Sequence, residues 1–166
     1  VTIGASNGAG PDASQTFTFT IVPPVLTGLM VNPVATTMAP GTTLRFTVAG
    51  IYNDGSQPTL SGAQWTSSSP SVATIDAAGI ATGIVPGTTT ITATLNGVTG
   101  STMLEVAHPT ALDVSPAAAS VPRGGARWLS AVARFGNGIL QDVTPYASWQ
   151  VADPAIASVV GGGEPG

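Results

Sequence analysis

Two stretches decide the fold of this chain: WTSSSPSVATID, which starts at Trp65, and WQVADPAIASVV, which starts at Trp149. Both contain a tryptophan, four residues, a proline, one residue, an aliphatic residue, an alanine, one residue and a second aliphatic residue. The chain has only three tryptophans among 166 residues. Two of these tryptophans occupy the same position of one motif, which indicates an internal repeat. An internal repeat determines the architecture of a chain.

The repeat extends outward from the two tryptophans. A shift of 83 residues places LMVNPVATTMAPG, from Leu29, on LDVSPAAASVPRG, from Leu112, with leucine, valine, proline and glycine at matching positions. One residue is inserted before Trp149, so the tryptophans themselves lie 84 residues apart. Because the matches keep their order along the chain, we infer two related copies of one domain.

Each copy has the pattern of short β-strands. TLRFTVAG, from Thr43, and TTTITATL, from Thr88, alternate polar and apolar residues, which is typical of half-buried strands. No stretch has the spacing of an amphipathic helix. Short strands at regular spacing, separated by turn signals, predict an all-β sandwich or barrel.

The turn signals are pairs that contain glycine. Pro40–Gly41 and Pro86–Gly87 predict type II turns, because glycine supplies the positive φ at the second central position. Asp54–Gly55, Asn96–Gly97 and Asn137–Gly138 predict type I′ hairpin turns, in which both central residues have positive φ.

Residues 26–106 resemble a bacterial immunoglobulin-like (Ig-like) domain of group 2, a type that occurs in tandem in invasin- and intimin-like surface proteins. The matching motifs are LMVNP, PGTTLRFTV, DGS before AQWTSSSPSVATID, and GIATGIVPGTTTITAT. The resemblance extends less completely over residues 108–166. It implies an elongated, all-β chain of tandem Ig-like β-sandwiches that belongs at a cell surface or outside the cell.

This resemblance divides the chain into three parts. Residues 1–24 are similar to the C-terminal hairpin of a preceding domain of the putative-Ig family, residues 25–107 to a complete domain, and residues 108–166 to a second domain that lacks its last strands. Two interpretations stay open. The chain is a segment of a longer array, or the initial hairpin of one copy completes the last domain of the next by strand exchange.

The repeated tryptophans are predicted to be central core residues. Two packed sheets lie about 10 Å apart, and a large flat ring fills that space. We therefore expect Trp65 and Trp149 in the centre of their sandwiches. Trp128, by contrast, takes the place of Arg45 on the outward face of its strand, with Val132 on the same face. This apolar pair is a candidate contact with a partner or a neighbouring domain.

The composition disfavours several function classes. The chain has four arginines, no lysine and a net charge of −4, so it lacks the cations that nucleic-acid binding needs. No apolar run approaches the roughly 20 residues that span a bilayer, and we expect no membrane insertion. His108 is the single histidine and no nucleophile motif accompanies it, so we expect no enzyme and no cofactor. A Ca²⁺ ion between the domains, near Glu105 and Asp113, stays an alternative.

These observations favour a non-enzymatic structural or adhesive segment, a stalk or spacer, in an extracellular or surface protein of a bacterium. One alternative is a self-assembling filament, sheath or phage-decoration subunit. Another is a carbohydrate-binding accessory domain of a larger enzyme. The expected partners are neighbouring Ig-like domains, further copies of the chain, or a host receptor or polysaccharide.

Overall fold

The computed structural model describes the backbone of residues 2–5 and 13–16, and residues 20–159 with their side chains. Fifteen strands and one 3-10 turn, Thr144–Tyr146, are the secondary structure of these residues. The predicted all-β class is therefore confirmed. The first two strands, β1 (Thr2–Ala5) and β2 (Ala13–Thr16), form an antiparallel hairpin in which Thr2 faces Thr16. The residues that connect these two strands lie outside the described part of the chain.

Ten strands form the first copy. They are β3 (Leu26–Asn32), β4 (Thr36–Met38), β5 (Thr43–Arg45), β6 (Thr47–Tyr52), β7 (Thr59–Leu60), β8 (Gln64–Ser67), β9 (Ala73–Ile75), β10 (Ile80–Gly83), β11 (Gly87–Leu95) and β12 (Val98–Val106). One layer has the order β4-β12-β11-β8, with β4 parallel to β12 and the other pairs antiparallel. The facing layer consists of β3-β6-β7 and β5-β10-β9.

The core of the first copy lies between these layers, and residues of both layers supply it. Alternate residues of β11, among them Ile91 and Ala93, face inward because successive side chains of a strand point to opposite faces. The largest fully buried side chains are Phe46, Met38, Ile91, Leu104, Val31, Val48 and Val106. Burying a side chain of this size stabilises the fold by about 1.5–3 kcal/mol.

Trp65 and Trp149 pack against the edge of their cores. The prediction that they are central core residues is therefore wrong. Trp65 is half-buried, and its ring centroid is 6.5 Å from that of Phe46. Phe46 is fully buried in the core of the first copy, and Trp65 packs against that core. Trp149 is likewise half-buried and packs against the small core of the second copy.

The second copy repeats one sheet of the first with the same register. Its strands β13 (Ala111–Ser115), β14 (Ser130–Arg134) and β15 (Leu140–Asp142) have the order β13-β14-β15. Val31 faces Val48 in the first copy, and Val114 faces Ala131 in the second. Both residues of the second pair follow those of the first by 83 positions, so the repeat read from the sequence is a structural repeat.

The remaining strands of the first copy have no counterpart among residues 108–159 of the second. Residues 119–121, 126–128 and 148–151 correspond to parts of β4, β5 and β8, yet none of these ranges is a strand. In the first copy, β4 pairs with β12, β5 with β10 and β8 with β11. A strand needs a partner for its backbone hydrogen bonds, and the second copy has no such partner among residues up to 159.

The turns follow the sequence in part. Gly41 has a φ of 77° and the Thr42 amide donates to the Ala39 carbonyl, as predicted for a turn at Pro40–Gly41. At Asn96–Gly97 both residues have positive φ, 51° and 78°, which confirms the type I′ prediction there.

Three turn predictions are wrong. Gly87 has a φ of 155° and already belongs to β11. Gly55 and Gly138 have positive φ, but Asp54 and Asn137 do not. In both copies the glycine amide donates to the carbonyl three residues before it, so glycine occupies the last position of the turn rather than a central one.

Candidate functional site: the junction between the two copies

The connection between the copies is held by hydrogen bonds on both sides. The Ala107 amide donates to the Met38 carbonyl of the first copy at 3.0 Å. The Thr110 amide and hydroxyl both donate to the Arg134 carbonyl of the second copy, at 2.7 and 3.0 Å. Only His108 and Pro109 lie between these two attachments, and proline restricts its own φ. The connection is therefore short and stiff.

Gln141 of β15 bridges the junction with both ends of its amide. Its Oε1 accepts a hydrogen bond from the Ala39 amide at 2.9 Å, and its Nε2 donates to Thr42 Oγ1 at 2.8 Å. Ala39 and Thr42 are both buried and close the turn between β4 and β5. A buried backbone N–H without a partner costs free energy. Gln141 therefore provides the acceptor that the buried Ala39 amide needs.

Asn137 makes a second polar bridge, on the other side of β4. Its Nδ2 donates to Thr37 Oγ1 at 2.6 Å and to Glu105 Oε2 at 3.2 Å. The Thr37 hydroxyl donates to the same carboxylate oxygen at 3.1 Å. Because Thr37 and Glu105 are register partners in the parallel pair β4–β12, Asn137 contacts both strands at one point.

Tyr146 makes the third bridge. Its hydroxyl accepts a hydrogen bond from the Thr43 amide at 3.1 Å and lies 2.7 Å from Thr43 Oγ1. Tyr146 ends the 3-10 turn, at the start of which the Asp142 carboxylate accepts a hydrogen bond from the Thr144 amide at 2.9 Å. Hydrogen bonding by the Thr144 side chain and backbone holds the pKa of Asp142 below its ordinary value. The charged form of Asp142 therefore supports the turn that positions Tyr146.

A small apolar cluster lies between the three bridges. Ala39 of the first copy is buried together with Ala131, Ala133, Phe135 and Val143 of the second. Ala107, Ile139, Ala147 and Trp149 pack against this cluster and are partly buried. Side chains of the two copies thus share one core, which makes the junction more than a flexible tether.

The family of the first copy follows from comparison with known proteins. Residues 25–106 match the model of the bacterial Ig-like domain, group 2. The first copy is a group 2 bacterial Ig-like domain. In this domain, two β-sheet layers pack against each other and β4 pairs with β12 in parallel.

The chain beyond the first copy is also similar to part of a longer curated protein. The chain is 30% identical over 162 residues to "Ice-binding protein 1" of Shewanella frigidimarina, which covers 96% of this chain and 18% of that protein. The chain thus spans less than a fifth of the length of this relative.

Two structures of the surface layer protein SbsC share the fold. One contains its domains 4–9, with 19% identity, a TM-score of 0.53, and coverage of 85% of this chain and 25% of that chain. The second is a longer crystal structure, with 19% identity, a TM-score of 0.52, and coverage of 86% and 20%. These matches extend beyond the group 2 Ig-like domain into the second copy and show similarity of fold.

The predicted contact pair has a different placement from the one expected. Trp128 is 71% exposed, but it precedes β14 rather than lying in a strand. Val132 is half-buried on the outward side of β14, where it faces Asp113 and Asp142. Neither residue belongs to the junction cluster. Their role as a partner contact stays a prediction.

The candidate metal ligands are engaged in protein contacts. Glu105 accepts the hydrogen bonds of Thr37 and Asn137, and Asp113 forms an ion pair with Arg134 on the neighbouring strand. Within residues 20–159, no group of three or more histidine, aspartate or glutamate side chains is placed to hold a metal. A Ca²⁺ ion between the domains stays an untested alternative. None of the described segments contains a helix with the length and apolar character of a membrane span.

Sequence reasoning missed the three bridging residues. The sequence analysis does not single out Asn137, Gln141 or Tyr146 as bridging residues. Asn137 replaces Asp54 and Gln141 replaces Pro58, but most of the residues around these two positions also differ between the copies. The comparison of the copies therefore carries no signal that is specific to the bridging residues.

Proposed function

We propose that this segment is a non-enzymatic spacer of an extracellular bacterial protein, which fixes the orientation of successive Ig-like domains. The observation that carries the proposal is the junction, where a two-residue linker, six side-chain hydrogen bonds and a shared apolar cluster join the copies. Domains joined by small, polar interfaces move relative to each other by default. A junction that satisfies a buried amide and shares a core favours one orientation instead.

The chemistry of the segment supports a spacer rather than an enzyme. Asp54 and Asp142, the groups with shifted pKa values, accept hydrogen bonds from residues two positions ahead and serve turns. A catalytic site brings several titratable groups together in one cavity. The shallow hollow beside Trp65 contains one such group, Asp76, whose carboxylate already accepts the amides of Ala78 and Ile80.

An extracellular setting is supported by the family. Group 2 Ig-like domains resemble the repeats of invasin-like surface proteins, and the 30% identical relative is named for ice binding. Within such a protein, a spacer sets the distance and angle between an anchor and a binding domain.

Residual dipolar couplings of the ¹⁵N-labelled chain test the spacer directly. One alignment tensor should fit both copies of the wild-type chain, because the junction fixes their orientation. Gln141→Ala combined with Asn137→Ala should give two different tensors, since four of the six junction hydrogen bonds are then lost. Gln57→Ala, an exposed glutamine in the corresponding loop of the first copy, is the matched control and should behave as wild type. Two independent tensors in the wild-type chain would contradict the proposal.

A second candidate function is contact with ice, and one feature of the first copy favours it. The outward residues of β11 are Thr88, Thr90, Thr92 and Thr94. Thr92 faces Ser101 of β12 and Thr66 of β8, and Thr94 faces Thr99 of β12. Thr88 and Thr90 face Glu105 and Met103. In a sheet, such residues are spaced about 6.7 Å along the strand and about 4.8 Å across it. A row of hydroxyl and methyl groups at such regular spacings can order water molecules at the protein surface.

Partition into growing ice separates the two candidate functions. If the threonine face contacts ice, the wild-type chain is enriched in the ice fraction, and Thr90→Lys combined with Thr92→Lys abolishes the enrichment. Thr82→Lys, on the exposed side of β10 in the other layer, is the control and keeps it. Exclusion of the wild-type chain from ice rejects this second function and leaves the spacer intact.

A further inference from the structure

Asn137, one of the junction bridges, is followed by glycine, and this dipeptide can react with itself. A glycine nitrogen can approach the preceding asparagine side chain closely, because glycine has no side chain in the way. The Gly138 nitrogen then bonds to Cγ of Asn137, the Cγ–Nδ2 bond breaks, and the nitrogen's proton leaves with the Nδ2 group as ammonia. Water opens the resulting succinimide ring to aspartate or isoaspartate. Both products replace a neutral amide with a carboxylate.

The closed junction restrains the groups that this reaction must move. The Gly138 amide donates to the carbonyl three residues before it at 2.9 Å, which opposes loss of its proton. Asn137 Oδ1 accepts a hydrogen bond from the Ile139 amide at 3.1 Å. Asn137 Nδ2, the leaving group, donates across the junction to Thr37 Oγ1 and Glu105 Oε2. Because Asn137 is itself exposed to water, these hydrogen bonds rather than burial hold its amide in place.

The carboxylate of the product does not fit the closed junction. Asn137 Nδ2 lies 3.2 Å from Glu105 Oε2, so a carboxylate oxygen in its place would meet a second negative charge at hydrogen-bond distance. The donor that Thr37 and Glu105 share would also be lost. A new charge placed beside a like charge disrupts a contact through repulsion. Deamidation therefore favours an open junction, and an open junction releases the amide that deamidates.

We propose that Asn137–Gly138 is a modification site that the closed junction protects, and that its deamidation uncouples the two copies irreversibly. This inference rests on the spacer function and adds a way in which the fixed orientation is lost as the protein ages. Asn96–Gly97 is the internal comparison, because it is the same dipeptide in the turn between β11 and β12. The nine-residue strand β12 separates that turn from the linker.

Peptide mass spectrometry of the full chain, incubated in mildly alkaline buffer, measures deamidation at both asparagines. Gln141→Ala combined with Tyr146→Phe removes the other two bridges and leaves the contacts of Asn137 in place. Deamidation at Asn137 should become at least about tenfold faster, because the lost hydrogen bonds raise the open population. The rate at Asn96 should not change, and Gln57→Ala should leave both rates at their wild-type values. An unchanged Asn137 rate in the double variant overturns the proposed protection.

Asn137→Asp introduces the carboxylate of the product directly. Hydrogen exchange of the Ala39 amide, which Gln141 covers, should become at least about tenfold faster, and one alignment tensor should no longer fit both copies. Asn96→Asp adds the same charge at the distant turn and should leave both readouts unchanged. A single tensor and wild-type Ala39 exchange in Asn137→Asp overturn this inference and leave the spacer intact. Two tensors in the wild-type chain reject the spacer and this inference together.

Discussion

The first and second copies contain matching residues in matching order, yet they differ in how much of that sequence becomes sheet. Strands that pair within β3-β6-β7 have counterparts in β13-β14-β15 with the same register. Strands that pair with β10, β11 or β12 have no counterpart in the described part of the second copy, which ends at residue 159. The comparison teaches that the alternating pattern marks segments able to form strands, and that the hydrogen-bonding partner decides which of them do.

The largest expected effect comes from the same substitution made at the matching position of each copy. Leu29→Ala should reduce the free energy of unfolding by about 2–5 kcal/mol, because it leaves a cavity in a closed core. Leu112→Ala should cost less than about 1 kcal/mol, since that side chain is more than half exposed. Urea unfolding, followed through resolved NMR signals of each copy, measures both values. Equal losses would mean that Leu112 is as well covered in solution as Leu29.

The tryptophan pair gives the next largest effect. Fully buried Trp→Ala substitutions cost about 3–5 kcal/mol, so half-buried Trp65 should cost about 2 kcal/mol when it is lost beside Phe46. Trp149→Ala should cost about 1 kcal/mol, because it packs against a cluster dominated by alanines. The same urea titration applies. A loss above about 4 kcal/mol for Trp65→Ala would restore the original prediction of a central tryptophan.

Tyr146 gives a smaller effect that is specific to the second copy. Tyr146→Phe removes the hydroxyl that bonds Thr43, and we expect a loss of about 0.5–1.5 kcal/mol in the stability of the junction. Tyr52→Phe is the control in the first copy and should leave the junction unchanged. Hydrogen exchange of the Thr43 amide is the readout. Identical exchange in both variants argues against a role for this bond.

The smallest expected effect depends on pH. Because the pKa of Asp142 is lowered in the folded chain, its contribution is present above the ordinary aspartate value of 3.8 and is lost as pH falls through the lowered pKa. The Tyr146 ring signals should therefore shift only in strong acid. Asp142→Asn should abolish that shift, and Asp54→Asn, in the matching loop of the first copy, should retain it. A shift that survives Asp142→Asn would assign it to another group.

The sequence was sufficient for the parts of the fold that depend on local pattern and repetition. The 83-residue shift predicted that Val31 and Val114 occupy equivalent positions in the two copies. The Asn96–Gly97 turn followed from the φ requirement of a type I′ turn. The Trp65 position failed because alternation indicates which face a residue occupies and not how deep it lies. Phe46, which lies between β5 and β6 in the facing layer, is the fully buried aromatic residue instead.

The junction could not be predicted from the same signals. In the sequence, Gln141 and Asn137 look like ordinary surface residues. Their hydrogen-bond partners, Ala39 and Thr37, lie about 100 residues away along the chain. Only the folded arrangement brings a turn of one copy next to a turn of the other. The exposure of Leu112 and Val114 could not be predicted either, because both match core residues of the first copy in sequence.

The parallel pairing of β4 with β12 has a mechanical consequence for a chain pulled from both ends. Once β3 has been pulled away from β6, tension from the N-terminal side enters β4 at Thr36, and tension from the linker enters β12 at Val106. Since the strands are parallel, the two pulls act at opposite ends of the ladder, and its hydrogen bonds are loaded in shear together rather than opened one by one. A unit of this kind resists stretching until the whole ladder gives way.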